Sequence, residues 1–258
     1  MEKMNEKNKM IYLAGLTESS NVKGEAQVWF DLDGVLADMQ NGLERDEEYV
    51  KRKNDLDNSL ERDFPQWLNL STDGLRATIN KELKDNPNDE NLKRIKKTFK
   101  RYNDFVFSIA SRPNFYFTLN LMPGALELVD DAYRITGRRP NILSSPVGNE
   151  KNKNNPSVYE KKRWVYKNFE NHLIYLAQKY LGDIIGNFTN KLFGSKIGKI
   201  EITTDKGRVA NSRYDILIDD RLKYVEKFRE AGGSAILYKD ANQAAFELQK
   251  LYDELMSR

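Results

Sequence analysis

The 258-residue chain carries 42 Lys+Arg against 39 Asp+Glu, a net charge of +3, with 39% hydrophobic and 31% charged residues. That mixture excludes an intrinsically disordered chain and supports one large α/β domain, alone or with a smaller inserted one. There is no cysteine, which excludes a disulfide framework, a thiolate metal site and a Cys-His nucleophile.

The first 24 residues are expected to be an extension outside the main domain. The apolar run Met10 to Leu16 is too short to span a bilayer or form a signal core, so a cytoplasmic protein without a membrane partner is expected. The stretch VWFDLDGVLADMQ then runs the apolar strand Val28–Phe30 into Asp31 and Asp33, turns at Gly34 and adds Asp38 as a helix-start residue. A continuous apolar run of this length fits a strand buried on both faces of a parallel sheet.

From residue 44 to 112 the pattern is charged and helix-compatible, interrupted at Pro87, and reads as a helical insertion carrying Phe64 and Trp67. Phe115, Tyr116 and Phe117 lead back to the main domain, expected over residues 25–43 and 113–258. The segment PGALELVDDAYRITG reads as a helix that Gly137 ends, and PNILSSP as a strand delivering Ser144 and Ser145. Residues 148–156 read as a mobile loop, and a helical period follows through Trp164, Tyr175 and Leu176 to Gly182. The lone histidine, His172, sits in that pattern and is read as a surface or boundary residue; a Ser-His-Asp triad is not expected.

Strands are expected in KIEITTDKG, YDILIDDR and SAILYKD, with helices in RLKYVEKFREAGG and ANQAAFELQKLYDELM. Strand and helix alternate, so the expected fold is α/β: a Rossmann-like parallel sheet with helices on both faces and an inserted helical cap. Ligands collect at the carboxyl ends of such strands. That edge would gather Asp31 with Asp33, Ser144 with Ser145, Asp205 with Lys206, and Asp219 with Asp220.

Clustered carboxylates repel unless a cation lies between them, and oxygen ligands without His or Cys favour magnesium over zinc. A carboxylate nucleophile, a lysine and a serine hydroxyl beside such an ion suit a phosphate ester. No Gly-x-x-x-x-Gly-Lys loop is present, so an ATP-binding P-loop is not the reading. Between Lys151 and Ile200 ten basic residues face three acidic ones; lysines dominate, so the segment reads as a solvated helix surface ahead of a nucleic-acid groove, and an anionic substrate would benefit from it either way.

In this order the residues resemble the haloacid dehalogenase superfamily of phosphohydrolases: Asp31-Leu32-Asp33-Gly34-Val35, then Ser144, then Lys206, then Asp219-Asp220. Within it, DLDGVLAD, FYFTLNLMPGALELV, ILSSP, EKKRWVYKNF, TTDKG and DILIDDR are similar to segments of the 5'(3')-deoxyribonucleotidases. The likeness spans about Val28 to Asp240; the insertion from 44 to 112 looks longer than in that family, and extra sequence lies between Leu181 and Lys199. The resemblance implies a Mg2+-dependent nucleotidase acting on a small nucleoside monophosphate, with a polynucleotide end as the alternative substrate; a non-catalytic binding protein that keeps the fold as a scaffold ranks below both. Asp31 would be the nucleophile and Asp33 the acid and base, its carbonyl also on the metal. Ser144, Ser145 and Lys206 would hold the phosphate, with Lys161 as rival for the lysine role. Asp219 and Asp220 would complete the metal site, and Phe64, Trp67, Phe115 and Phe117 would be candidates to contact the base.

Overall fold

The computed structural model describes residues 25–147, 155–169 and 196–257. The expected extension over 1–24, the loop at 148–154, the helical pattern beyond Phe169 with His172, and much of the basic segment lie outside them. The chain divides into a sheet-containing unit and a helical unit, Gln40–Phe115.

The first unit is built on five parallel strands: β1 (Gln27–Phe30), β2 (Asn141–Ser144), β3 (Ile200–Ile202), β4 (Asp215–Asp219) and β5 (Ser234–Leu237). Their order is β3-β2-β1-β4-β5, so the earliest strand lies at the centre and the chain departs from it in both directions. Crossovers of one hand running in opposite directions put their helices on opposite faces. These helices are α5 (Ala125–Thr136) between β1 and β2, and α7 (Leu222–Glu230) between β4 and β5; α6 (Pro156–Phe169) follows β2, and α8 (Ala241–Met256) closes the described chain and packs on α5.

Alternation along the strands decides which side chains meet which layer. Trp29, Leu143, Leu217 and Ala235 form a buried cluster with Val225 and Phe228 of α7. Their neighbours Val28, Phe30, Ile142, Ile216, Ile218 and Ile236, also buried, point to the opposite face. Burial on both faces explains the unbroken apolar runs in the sequence. Gly124 and Gly137 bound α5 with φ of 77° and 68°, the left-handed region that glycine enters without a Cβ clash.

The helical unit contains α2 (Glu47–Asp63), α3 (Thr72–Asp85) and α4 (Glu90–Ala110); the short α1 (Met39–Glu44) leads into it. Asp46, Ser71 and Asp89 each accept backbone N–H bonds at the start of these three helices. Leu56 and Leu60, Leu75 and Ile79, and Leu92, Ile95 and Phe99 recur at helical spacing and meet in one core. Among the described residues, no helix is long and apolar enough to cross a membrane.

Candidate active site

The central strand ends at Phe30, and the Asp31 amide donates to the Ile218 carbonyl at 2.9 Å, carrying the β1–β4 pairing one residue past the strand. The Phe30↔Ile218 register therefore sets Asp31 beside Asp219, and both are buried. A tight turn follows: the Ala37 amide donates to the Leu32 carbonyl and the Gly34 amide to the Ala37 carbonyl. Gly34 has φ of 80°, and a Cβ on it would lie 2.5 Å from Asp220 Oδ2. The glycine gives Asp220 its place.

Asp31, Asp219 and Asp220 each bring a carboxylate oxygen within 4.8 Å of the others. Lys206, in the 3-10 turn after β3, lies 2.9 Å from Asp31 Oδ1 and 2.5 Å from Asp219 Oδ2, and is itself buried. Asp219 Oδ1 accepts the Arg221 amide at 2.9 Å at the start of α7. Burial, then the charge of Asp31, pushes the Asp219 carboxyl up to about 6. Desolvation, then Asp31 and Asp219, pushes Asp220 up to about 8. Burial opposes the Lys206 ammonium, but the charges of Asp31 and Asp219 outweigh it and hold its pKa above the ordinary lysine value. Two of the three carboxylates pair with one ammonium, and the donor set is oxygen only. That set fits a hard divalent cation such as magnesium.

A second charged group lies two residues along. Asp33 Oδ2 is 2.6 Å from Lys161 Nζ, which also donates to Ser144 Oγ at 3.2 Å and to the Ser145 carbonyl at 2.5 Å. Burial drives the Asp33 carboxyl above its ordinary value; Lys161 pulls it down and Asp31 pushes it further up. The Tyr116 ring lies 4.6 Å from Lys161 Nζ, and the Trp164 indole donates to the Leu119 carbonyl at 2.8 Å, tying α6 to the segment before α5.

The structure thus brings Asp31, Asp33, Ser144, Ser145, Lys206, Asp219 and Asp220 to one edge of the sheet. Both lysines reach it: Lys206 serves Asp31 and Asp219, and Lys161 serves Asp33 and the serines. Its position on a helix does not remove Lys161, because α6 packs its Lys161 and Trp164 face inward. Lys161 engages only Oδ2 of the Asp33 carboxylate; Oδ1 is buried without a hydrogen-bond partner among the described residues. Asp38 stands immediately before α1, its amide bonded to the Asn120 carbonyl.

Of the aromatic candidates, Phe64, Trp67 and Phe115 belong to the helical unit and Phe117 to the sheet-containing one. Phe64 and Trp67 stack in the helical unit with ring centroids 4.2 Å apart, against that unit's core, and Phe115 is buried at its end. Sequence reasoning passed over two aromatics at the sheet edge, Tyr116 and Tyr224. Tyr116 stands in an aromatic run that gives no sign of which ring faces inward. Tyr224 follows Asp220 by one helical turn, the signal that could have found it.

No family model matches the chain, and no curated protein matches it. Among solved structures the chain is similar to a HAD-superfamily hydrolase from Ehrlichia chaffeensis, at 18% identity over 89% of this chain and 98% of that one, with a TM-score of 0.40. It is also similar to a HAD family enzyme from Bacteroides thetaiotaomicron (14% identity, 84% and 95% covered, TM-score 0.34). A third is a phosphonoacetaldehyde hydrolase-like protein from Oleispira antarctica (12% identity, 91% and 84% covered, TM-score 0.35). These likenesses are distant, and the functional reading rests on the site.

Proposed function

We propose that the chain is a magnesium-dependent phosphohydrolase of the haloacid dehalogenase type, acting on nucleoside 5'-monophosphates, deoxyribonucleotides in particular. The observation that carries the reading is the placement of Asp31. It follows the central strand directly and stands beside Lys206, within reach of Asp219 and Asp220, with Asp33 held by Lys161 two residues on.

In this reading an Asp31 carboxylate oxygen attacks phosphorus, the ester P–O bond breaks, and the leaving oxygen takes a proton from Asp33. The raised Asp33 carboxyl favours the protonated form that can donate it. Asp33 then removes a proton from the water that cleaves the aspartyl-phosphate, restoring Asp31 and releasing phosphate. Lys206 offsets charge at Asp31, while Lys161, Ser144 and Ser145 hold phosphate oxygens. Asp31, Asp219, Asp220 and the Asp33 carbonyl would hold magnesium, which when bound supplies charge neutralisation for the phosphoryl group.

One surface favours a second substrate class, a polynucleotide end. The Arg163 guanidinium lies 4.4 Å from the Phe117 ring centroid and 5.4 Å from that of Tyr159, and Lys167 Nζ lies 4.9 Å from Phe117. Cations interleaved with aromatic rings suit a single-stranded backbone and its bases.

The test is phosphate release from deoxy- and ribonucleoside monophosphates and from a 5'-phosphorylated oligonucleotide, with and without magnesium, with Asp31→Asn as control. Magnesium-dependent turnover of a mononucleotide that the variant lacks supports the first reading. Turnover of the oligonucleotide alone, weakening steeply with salt, supports the second. No turnover of any of them sinks both.

A further inference from the structure

We propose that Tyr224 is a positioning residue that joins the two charged groups of the site into one unit; the inference rests on the phosphohydrolase reading. Lys161 gathers Asp33, Ser144 and Ser145, and Lys206 gathers Asp31 and Asp219. Tyr224 touches both sets. Its hydroxyl accepts from Ser145 Oγ at 3.2 Å, and its ring lies 4.5 Å from Lys206 Nζ. The path therefore runs from Lys161 to the Ser145 backbone carbonyl, through that residue to its hydroxyl, and on through Tyr224 to Lys206.

The ring is suited to this role because it is held from behind. Tyr224 is partly buried against the cluster that contains Val225, Phe228 and Leu217, and it stands on α7 one turn after Asp220. A packed aromatic side chain has little rotamer freedom to lose, so a contact made by its hydroxyl fixes the Ser145 side chain. Its face also offers a buried ammonium an electrostatic partner that water would otherwise supply. Arg221 and Lys223 lie 5.1 and 4.9 Å from the same ring, and it is the buried Lys206 that links it to Asp31.

Phosphoryl transfer gains from such bracing, since its catalysis is mainly the positioning of charges around the transferred group. The Tyr224 hydroxyl bonds to Ser145 and not to Asp31, Asp219 or Asp220, so its effect would fall on turnover through Ser145 and Lys206.

The test is a double-mutant cycle on the full chain with magnesium: wild type, Tyr224→Phe, Ser145→Ala and the pair, with Tyr224→Leu as a fifth protein. Each single variant is expected to lower kcat about fivefold to tenfold with KM little changed, and the pair to be no worse than the worse single variant. Tyr224→Leu should lose about tenfold more than Tyr224→Phe, so that the phenyl ring rescues the Lys206 contribution. Additive losses, or a Tyr224→Phe protein altered only in melting temperature, overturn the inference while leaving the phosphohydrolase reading intact. If wild type shows no magnesium-dependent turnover, that reading falls, and titration of the same proteins with inorganic phosphate decides the inference. Non-additive changes in Kd between positions 224 and 145 support it; additive changes, or no phosphate binding, overturn it.

Discussion

The carboxylate of Asp220 occupies the space that a side chain at position 34 would need: a Cβ on Gly34 falls 2.5 Å from Asp220 Oδ2. Gly34 also has φ of 80°, where a Cβ adds strain. Gly34→Ala should therefore cost about 1–2 kcal/mol of stability from backbone strain and, separately, displace Asp220 from the metal cluster. Gly137→Ala is the matched control, since Gly137 has φ of 68° but nothing within 4 Å of its Cβ position. Calorimetric titration with magnesium should show affinity falling about tenfold or more in Gly34→Ala and unchanged in Gly137→Ala, as loss of one carboxylate ligand requires. Equal affinity in the two variants would remove Asp220 from the metal site.

The two lysines have different partners and should fail differently. Lys206→Met leaves Asp31 and Asp219 buried without their ammonium, a loss of about 3 kcal/mol or more that a bound divalent cation should partly restore. Lys161→Met strips Asp33 and Ser144 of their cation but touches none of Asp31, Asp219 and Asp220. Each should lower kcat/KM by about a hundredfold or more, as removal of a charged donor from a phosphate site does. Thermal melts with and without magnesium separate them: the stabilisation by magnesium should grow in Lys206→Met and stay at the wild-type value in Lys161→Met. Identical metal responses would show that Lys206 has no closer hold than Lys161 on the carboxylates that take the metal.

Trp164 sets where Lys161 stands. Its indole donates to the Leu119 carbonyl at 2.8 Å and is fully buried, three residues along α6 from the lysine. Trp164→Phe keeps an aromatic ring but strands that carbonyl, a cost of about 1–3 kcal/mol. Thermal unfolding should show the loss, and kcat/KM should fall while magnesium affinity holds.

Much of this site was legible because Asp31, Ser144 and Asp219 each follow an apolar run that fits a buried strand. Asp31 after Val28–Phe30, Ser144 after Ile142 and Leu143, and Asp219 after Ile216–Ile218 are placed by strand direction alone, and parallel pairing brings them to one edge. Lys161 is different in kind. It stands on a helix, and its inward aim depends on α6 docking through Trp164 and Val165, a tertiary fact that helical periodicity does not specify. Tyr224 was hidden for the same reason, since an aromatic one turn into an amphipathic helix usually serves only its core. The helices of the insertion were readable from spacing and caps. Phe64 stacking on Trp67 was not, because it depends on the turn at Pro65 bringing the rings face to face.

Asp46 ties together the two ends of the helical unit and makes its stability depend on pH. Its side chain caps α2 by accepting the Tyr49 amide at 3.1 Å, and its other oxygen meets Arg112 at 2.5 Å, just past α4. The Arg112 hydrogen bond, aided by the backbone donors, outweighs the opposing effect of burial and holds the Asp46 carboxyl below its ordinary value. A folded-state pKa below the unfolded one means that the unfolded chain binds the proton more readily. The stabilisation is thus complete above the unfolded value of about 3.9 and is lost as pH falls through the lower folded value. Arg112 is half exposed, so solvent screening limits the pair, and cap and pair together are worth about 1 kcal/mol. Urea titrations of wild type and Asp46→Ala, followed by circular dichroism, should differ by that amount at pH 7 and converge as pH falls through the lowered folded-state value. A difference that stayed constant down to that pH would show that the ionised Asp46 carboxylate contributes nothing to holding the helices together.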